Sequence, residues 1–323
     1  MTGFSCAFWL VRDTFRQAQA TRLSRLILAM SALCVALCLS IRIDPGPPLR
    51  PEGEIELYGA DGLPLDDPSQ RPGRLAVGFG GLEVPLFRGA EDEVRFLRVI
   101  LAKWVAGAAG TLLALVWAAS FLPEFLRPES SALLLAKPVP RWHLLMGKYV
   151  GTVAFVAAQA AVFVGGTWLA LGIRSGDWDP TYLLCLPLLA GHFAVVYAAS
   201  SLIAVCTRSA SAASFGSIVF WCLCFAMNRG RHLLVASAGS SGEVGSPFRE
   251  AVELGYWILP KPADFVALLD RAMGAGDHFS TLAEVDAVGS LGAFHPGLSL
   301  AASAAFAAAL LAAAAREFGT IDY

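Results

Sequence analysis

The side chains able to bind a metal or relay a proton are few and scattered. Five histidines stand at His143, His192, His232, His278 and His295. Only His192 falls deep inside an apolar run, where an ionisable group points first to a substrate path. A neutral imidazole bonded to a carbonyl of the next helix explains it as well. Gln159 is the second candidate for that path, with Thr111, Thr167, Ser200 and Ser201 among the few other polar groups of the runs. Six of the seven cysteines (Cys34, Cys38, Cys185, Cys206, Cys222, Cys224) lie in apolar runs, and Cys6 lies near the N-terminus. Cys34 and Cys38 share a helix face, and thiolates suit Cu(I). With no histidine or methionine cluster beside them they read as small packing residues, neither a metal site nor a disulfide framework.

Nucleotide and hydrolase motifs are missing. Gly147-Lys148 has the end of a phosphate-binding loop, but Trp142 stands where its first glycine is needed. There is no dinucleotide fingerprint, no His-Glu-x-x-His and no Gly-x-Ser-x-Gly. An intramembrane enzyme would need paired aspartates, a His/Glu cluster or a Ser/Lys dyad within the runs, and the acids sit almost wholly in loops. No catalytic residue is expected, and the chain is not expected to be an enzyme.

The elements that must position these groups are membrane spans. Of 323 residues 56% are apolar and only 15% charged, well below the roughly 25% charge of soluble domains. Several runs reach the roughly 20 apolar residues that a bilayer core demands. The expected fold is an all-α integral membrane protein with six transmembrane helices, over 23–43, 99–122, 149–173, 182–206, 212–227 and 297–315. The fifth is short and rich in Ser, Ala and Gly, which permits close packing. Phe4, Phe8 and Phe15 recur at helical spacing among Arg12, Arg16, Arg22 and Arg25, which predicts an amphipathic interfacial helix over 1–22. Lys103, near the start of the second span, is expected to snorkel to the interface beside Trp104. Residues 44–95 and 228–297 are expected as two long outer loops. The first holds one strand-like run, 74–87, enough for an irregular cap or a short hairpin. The second holds 254–269, too broken by proline to span, which lies on or dips into the interface. The whole chain reads as a single domain. A net charge of −2 argues against nucleic acid as a partner.

Between the second and third spans lies 122–148. Pro128 suits the first position of a helix. Glu129 suits its first turn and Lys137 its last, and Pro138 stops it. The result is a short helix of two to three turns, polar at both ends, with Leu133-Leu134-Leu135 in its middle. Such a helix lies on a surface or is gripped by a partner. Arg12, Arg16, Arg22, Arg25, Arg127, Lys137, Arg141, Lys148, Arg208 and Arg316 gather in the segments that share one side. The positive-inside rule then puts both termini and 122–148 in the cytoplasm.

Residues 121–151 resemble the permeases of type 2 ATP-binding-cassette exporters, most of all the branch of multi-copper-enzyme or nitrous-oxide-reductase maturation permeases. Glu124, Arg127, Leu133-Leu134-Leu135, Lys137-Pro138-Val139-Pro140-Arg141 and Leu144-Leu145-Met146-Gly147-Lys148-Tyr149 carry the likeness, and Leu259-Pro260-Lys261-Pro262-Ala263-Asp264 adds to it. Many relatives have Gly-Thr-x-Glu before the leucines, where this chain has Ser130-Ser131-Ala132. The resemblance implies a coupling helix, an ATPase subunit on a separate chain that holds ATP and Mg, and a second permease, identical or homologous. It also implies an alternating-access path in a bacterial inner membrane. Glu124, Phe125, Leu126, Arg127, Glu129, Leu133, Leu134, Lys137, Pro138 and Arg141 are then the coupling residues. The sparse polar groups of the spans fit a lipidic or amphiphilic cargo better than a strongly charged ion. The competing reading is a membrane anchor or assembly scaffold with no substrate path.

Overall fold

The computed structural model describes residues 3–44, 74–78, 81–85, 90–125, 140–238, 247–275, 288–292 and 294–320. Helix dominates, and six helices are long and apolar enough to cross a membrane: Arg22–Ser40, Glu93–Phe125, Arg141–Ser175, Pro180–Thr207, Ala210–Ala236 and Pro296–Thr320.

Helix α1 (Gly3–Ala20) precedes α2 (Arg22–Ser40), the first span. Thr21 separates them. Its hydroxyl donates to Ala18 O (2.8 Å) and accepts from Ser24 N (3.3 Å), ending one helix and capping the next. After α2 come three antiparallel strands, β1 (Arg42–Asp44), β2 (Arg74–Val77) and β3 (Leu82–Pro85), in the order β1-β2-β3. Arg42 is opposite Ala76, and Arg74 is opposite Pro85. The expected hairpin is present, and β1 extends it, so the fold is not purely α. Gly78, at φ +68°, supplies the left-handed turn residue. Its N–H donates to Ser40 Oγ (3.0 Å), which fastens the hairpin to the end of α2.

The second span has an unusual middle. It comprises α3 (Ala90–Ile100), a π-helical stretch Leu101–Gly110, α4 (Thr111–Ala118) and α5 (Phe121–Phe125). π-helix beyond a single turn is rare and often marks a functional site. Here the stretch is made of Ala102, Ala106, Gly107, Ala108, Ala109 and Gly110 around Lys103, Trp104 and Val105, so few side chains crowd the widened turns. Lys103 does not snorkel: its Nζ is 2.8 Å from both carboxylate oxygens of Asp270.

α6 (Arg141–Ser175) is the third span. Gly176 ends it at φ +77° and returns its N–H to Gly172 O at 2.9 Å. A 3₁₀ turn (Pro180–Leu184), capped by Asp179, leads into α7 (Cys185–Thr207), the fourth span, so the tight antiparallel connection read from 174–180 is observed. Arg98, 2% exposed, clamps this turn through Asp177 Oδ2 (2.7 Å) and Asp177 O (2.6 Å). Arg208, at φ 52°, turns the chain again.

α8 (Ala210–Ala238) corrects the sequence reading most. The fifth span does not stop at 227, and 228–238 is helix, not loop. α9 (Pro247–Ile258) and α10 (Pro262–Ala272) follow, then α11 (Pro296–Thr320) as the sixth span. α10 dips between the spans: the Phe265 ring stacks on His192 of α7 at 4.3 Å. A Cβ built on Gly107 of the π-helical stretch would lie 3.8 Å from Phe265 Cε1. The core at the other end joins Leu10 of α1 to Trp117, Phe121, Leu145, Phe155, Phe193 and Tyr197 of the spans.

Candidate functional site

α1, α5, the start of α6 and the end of α11 share one end of the bundle. Leu126, Arg127, Glu129, Leu133, Leu134, Lys137 and Pro138 lie outside the described residues, but the chain on either side of them is fixed. Lys148, buried, donates to Asp13 Oδ2 (2.8 Å) and Gln17 Oε1 (3.1 Å) of α1. Its Nζ also sits 5.5 Å over the Phe125 ring. Gln17 Nε2 in turn donates to Glu124 Oε2 at 3.2 Å. Glu124 therefore faces α1, and Phe125 faces Lys148 of α6. Arg141 Nη1 donates to Gly319 O (3.3 Å), a cation on the carboxyl end of α11. Both ends of 126–139 are thus held by side-chain contacts to helices other than their own.

The seat for α1 on α6 is a small-x-x-x-small pair, Gly147 and Gly151. A Cβ on Gly147 would meet Leu10 Cδ1 at 2.5 Å, and one on Gly151 would meet Thr14 Oγ1 at 2.8 Å. The signal stands in the sequence as a GxxxG spacing, a motif of close helix approach in membranes. Gly151→Val is expected to lift α1 off its seat. Overpacking of this kind costs about 1–3 kcal/mol. A cysteine placed at Thr14 should go from unreactive to readily alkylated by maleimide in membranes; unchanged reactivity would refute the seat.

Deeper in the bundle, α2 packs along α6 and stands off from the second span. The gap is a half-open cleft of about 190 Å³. Its walls include Met30, Ser31 and Cys34 of α2, Val105, Thr111 and Trp117 of the second span, Val156 and Gln159 of α6, and Leu189 and Phe193 of α7. Among the described residues no acid, lysine, arginine or histidine lines it. The π-helical turns and the small residues Ala106, Ala109, Gly110, Ala160 and Ala190 create the room. Gln159, expected on a substrate path, is at this cleft, with one bond to Ser24 Oγ (3.3 Å). His192 is not. Its Nε2 accepts from Trp221 Nε1 (3.2 Å) and its ring stacks on Phe265, so it packs α7 against α8 and α10. It bonds across to the next helix, as the packing reading expects, but its partner there is the Trp221 indole, not a carbonyl.

At the opposite end is a buried cluster that the sequence reading did not assemble. Asp264 of α10 is 0% exposed. Its Oδ1 accepts from Asn228 Nδ2 (2.9 Å) and His232 Nε2 (2.8 Å), and its Oδ2 accepts from Tyr256 OH (2.8 Å) and Ser299 Oγ (2.7 Å). Asn228 Oδ1 accepts from the Asp264 N–H at 2.9 Å. One carboxylate thereby joins α8, α9, α10 and α11. Burial raises its pKa, but the bonds from His232, Ser299, Asn228 and Tyr256 outweigh that and hold it below the ordinary 3.8. Lys261 beside it, over the Tyr256 and Trp257 rings, is pushed down by burial, with Asp264 opposing. The Arg231 guanidinium lies over the Tyr256 ring at 4.0 Å and donates to Glu253 Oε2 at 3.0 Å. Every oxygen of Asp264 is occupied by protein, so the cluster fastens helices and has no vacancy for a ligand.

Among the described residues no group of three or more His, Cys, Asp or Glu is placed to hold a metal ion. No protein-family model matches this chain, and no curated protein is significantly similar to it.

Proposed function

We propose that this chain is the membrane-spanning permease subunit of an ATP-binding-cassette exporter, with the ATPase on a separate cytoplasmic chain. That chain would hold ATP and Mg, and a second copy or a homologous permease would complete the path. In this reading the membrane is a bacterial inner membrane and both termini are cytoplasmic. One observation carries the proposal: the chain on both sides of 126–139 continues into two of the helices that wall the cleft, and is fastened there to α1 and α11. Glu124 and Phe125 end the second span, and Arg141 and Lys148 begin the third. A displacement of the leucine-bearing segment would therefore move both walls together, as rigid helices transmit a push. The cleft also favours a transporter over a scaffold, because a scaffold has no use for packing lost inside the membrane.

Co-expression of the tagged full chain with a P-loop ATPase encoded beside it tests the reading. The ATPase is expected to be retained in equal stoichiometry after detergent extraction. Loss of the co-expressed ATPase on extraction, with the chain itself folded, would overturn the proposal and leave the scaffold.

A further inference from the structure

The cleft makes a more specific demand than a path of unknown content. It is apolar on nearly every wall, and it lies within the membrane-spanning parts of α2, the second span, α6 and α7. At about 190 Å³ it exceeds the roughly 150 Å³ apolar cavity that stays dry and takes up benzene. A space of this kind next to hydrocarbon fills with hydrocarbon, since water there would find too few polar partners. One wall differs. Gln159 stands midway along α6 and has four hydrogen-bonding positions, of which one is used, on Ser24. An amide left mostly unbonded in hydrocarbon costs several kcal/mol, which favours any ligand that bonds to it. Among the described residues no charged side chain lines the cleft to compensate an ionic group.

We infer that this cleft takes the hydrocarbon tail of a membrane lipid, entering sideways between α2 and the π-helical stretch, with an uncharged oxygen of that lipid bonded to Gln159. The side entry follows from the packing: α2 rests on α6, and the gap lies between α2 and the second span. Met30, 49% exposed, stands at the mouth. Ala109 and Ala160 set the width, because a larger side chain at either would occupy the space. Naming the bound lipid as cargo rests on the exporter reading; binding itself does not.

The test uses the full chain alone in nanodiscs containing phosphatidylcholine with a diazirine at the middle of one acyl chain. After illumination, cross-links are mapped by mass spectrometry. Adducts are expected on residues 105–117 and 156–163, beside the general adducts on lipid-facing Leu33 and Leu169. Ala109→Phe is expected to lower the cleft adducts at least fivefold and leave those on Leu33 and Leu169 unchanged. Ala160→Leu should do the same and serves if the first variant does not fold. Gln159→Leu is expected to weaken labelling about threefold without closing the space. Adducts confined to Leu33, Leu169 and similar outward positions, or equal cleft labelling in the filled variants, would overturn the tail site. No ATPase is in the assay, so its outcome is independent of the co-purification that tests the exporter reading.

Discussion

Asp264→Ala is expected to be the most damaging single substitution outside the spans. It strands Asn228 Nδ2, His232 Nε2, Tyr256 OH and Ser299 Oγ, all now bonded to that carboxylate. A buried donor without its partner costs about 1–3 kcal/mol. The four donors share one cavity and their losses overlap, so the expected total is on the order of 4 kcal/mol, a fall in Tm on the order of 10 °C. Asp264→Asn should lose less. Its carbonyl oxygen still accepts from Asn228 and His232, and the hydroxyls of Tyr256 and Ser299 can turn to accept from its amide. Thermal unfolding of the purified chain in detergent, followed by intrinsic tryptophan emission, measures both. Wild-type stability in the alanine variant would show that the cluster does not hold the helices.

The same carboxylate sets a pH dependence. Its folded pKa lies below 3.8, so the folded state holds its ionised form more tightly than the unfolded chain does. The contribution is fully present above pH 3.8 and is lost as pH falls below that value through the folded pKa. Wild type minus Asp264→Asn should therefore be flat from neutrality to about pH 5 and shrink below 3.8. A difference that grows on acidification would reverse the assignment.

Spans were legible because length and hydropathy suffice for a bilayer, and all six overlap the apolar runs, although the fifth runs on past 227. Polar residues misled the reading in two regions. Asn228, Arg231 and His232 look like the start of a loop, yet they continue α8 because their partners, Asp264 and Glu253, come from later in the chain. A local reading cannot see a carboxylate 36 residues away. Lys103 misled it in the same way: snorkelling is the answer for a lone cation, and Asp270 makes it unnecessary. The π-helical stretch has no sequence signal beyond its run of Ala and Gly, and that run also suits an ordinary packed helix. Gln159 was legible as a polar group in an apolar run. That it reaches the cleft while His192 does not depends on helix rotation, which α7 fixes through Trp221 and Phe265.

Leu134→Asp is expected to separate ATP hydrolysis from transport. Leu134 lies outside the described residues, so the argument runs from sequence and from the fixed chain on either side. A three-leucine run between Pro128 and Pro138, polar at both ends, is apolar surface that a partner groove would cover. A carboxylate there would be buried without a partner, and hot-spot losses of this kind are about 2 kcal/mol or more, a weakening of roughly thirtyfold or greater. Leu134→Met, which conserves volume, should be near neutral. None of the six apolar helices includes residue 134, so insertion and Tm of the isolated chain should be unchanged. In the assembled complex, basal ATPase activity should persist while transport falls to background. Transport equal to wild type with Leu134→Asp would move the joint elsewhere. Gln17→Ala sharpens the contrast. It cuts the bridge between Lys148 and Glu124 without touching the leucines. If the push travels from 126–139 into both spans, that variant should bind the ATPase normally and still transport poorly. Binding lost in the first variant and kept in the second would separate grip from transmission, the two halves of the proposed drive.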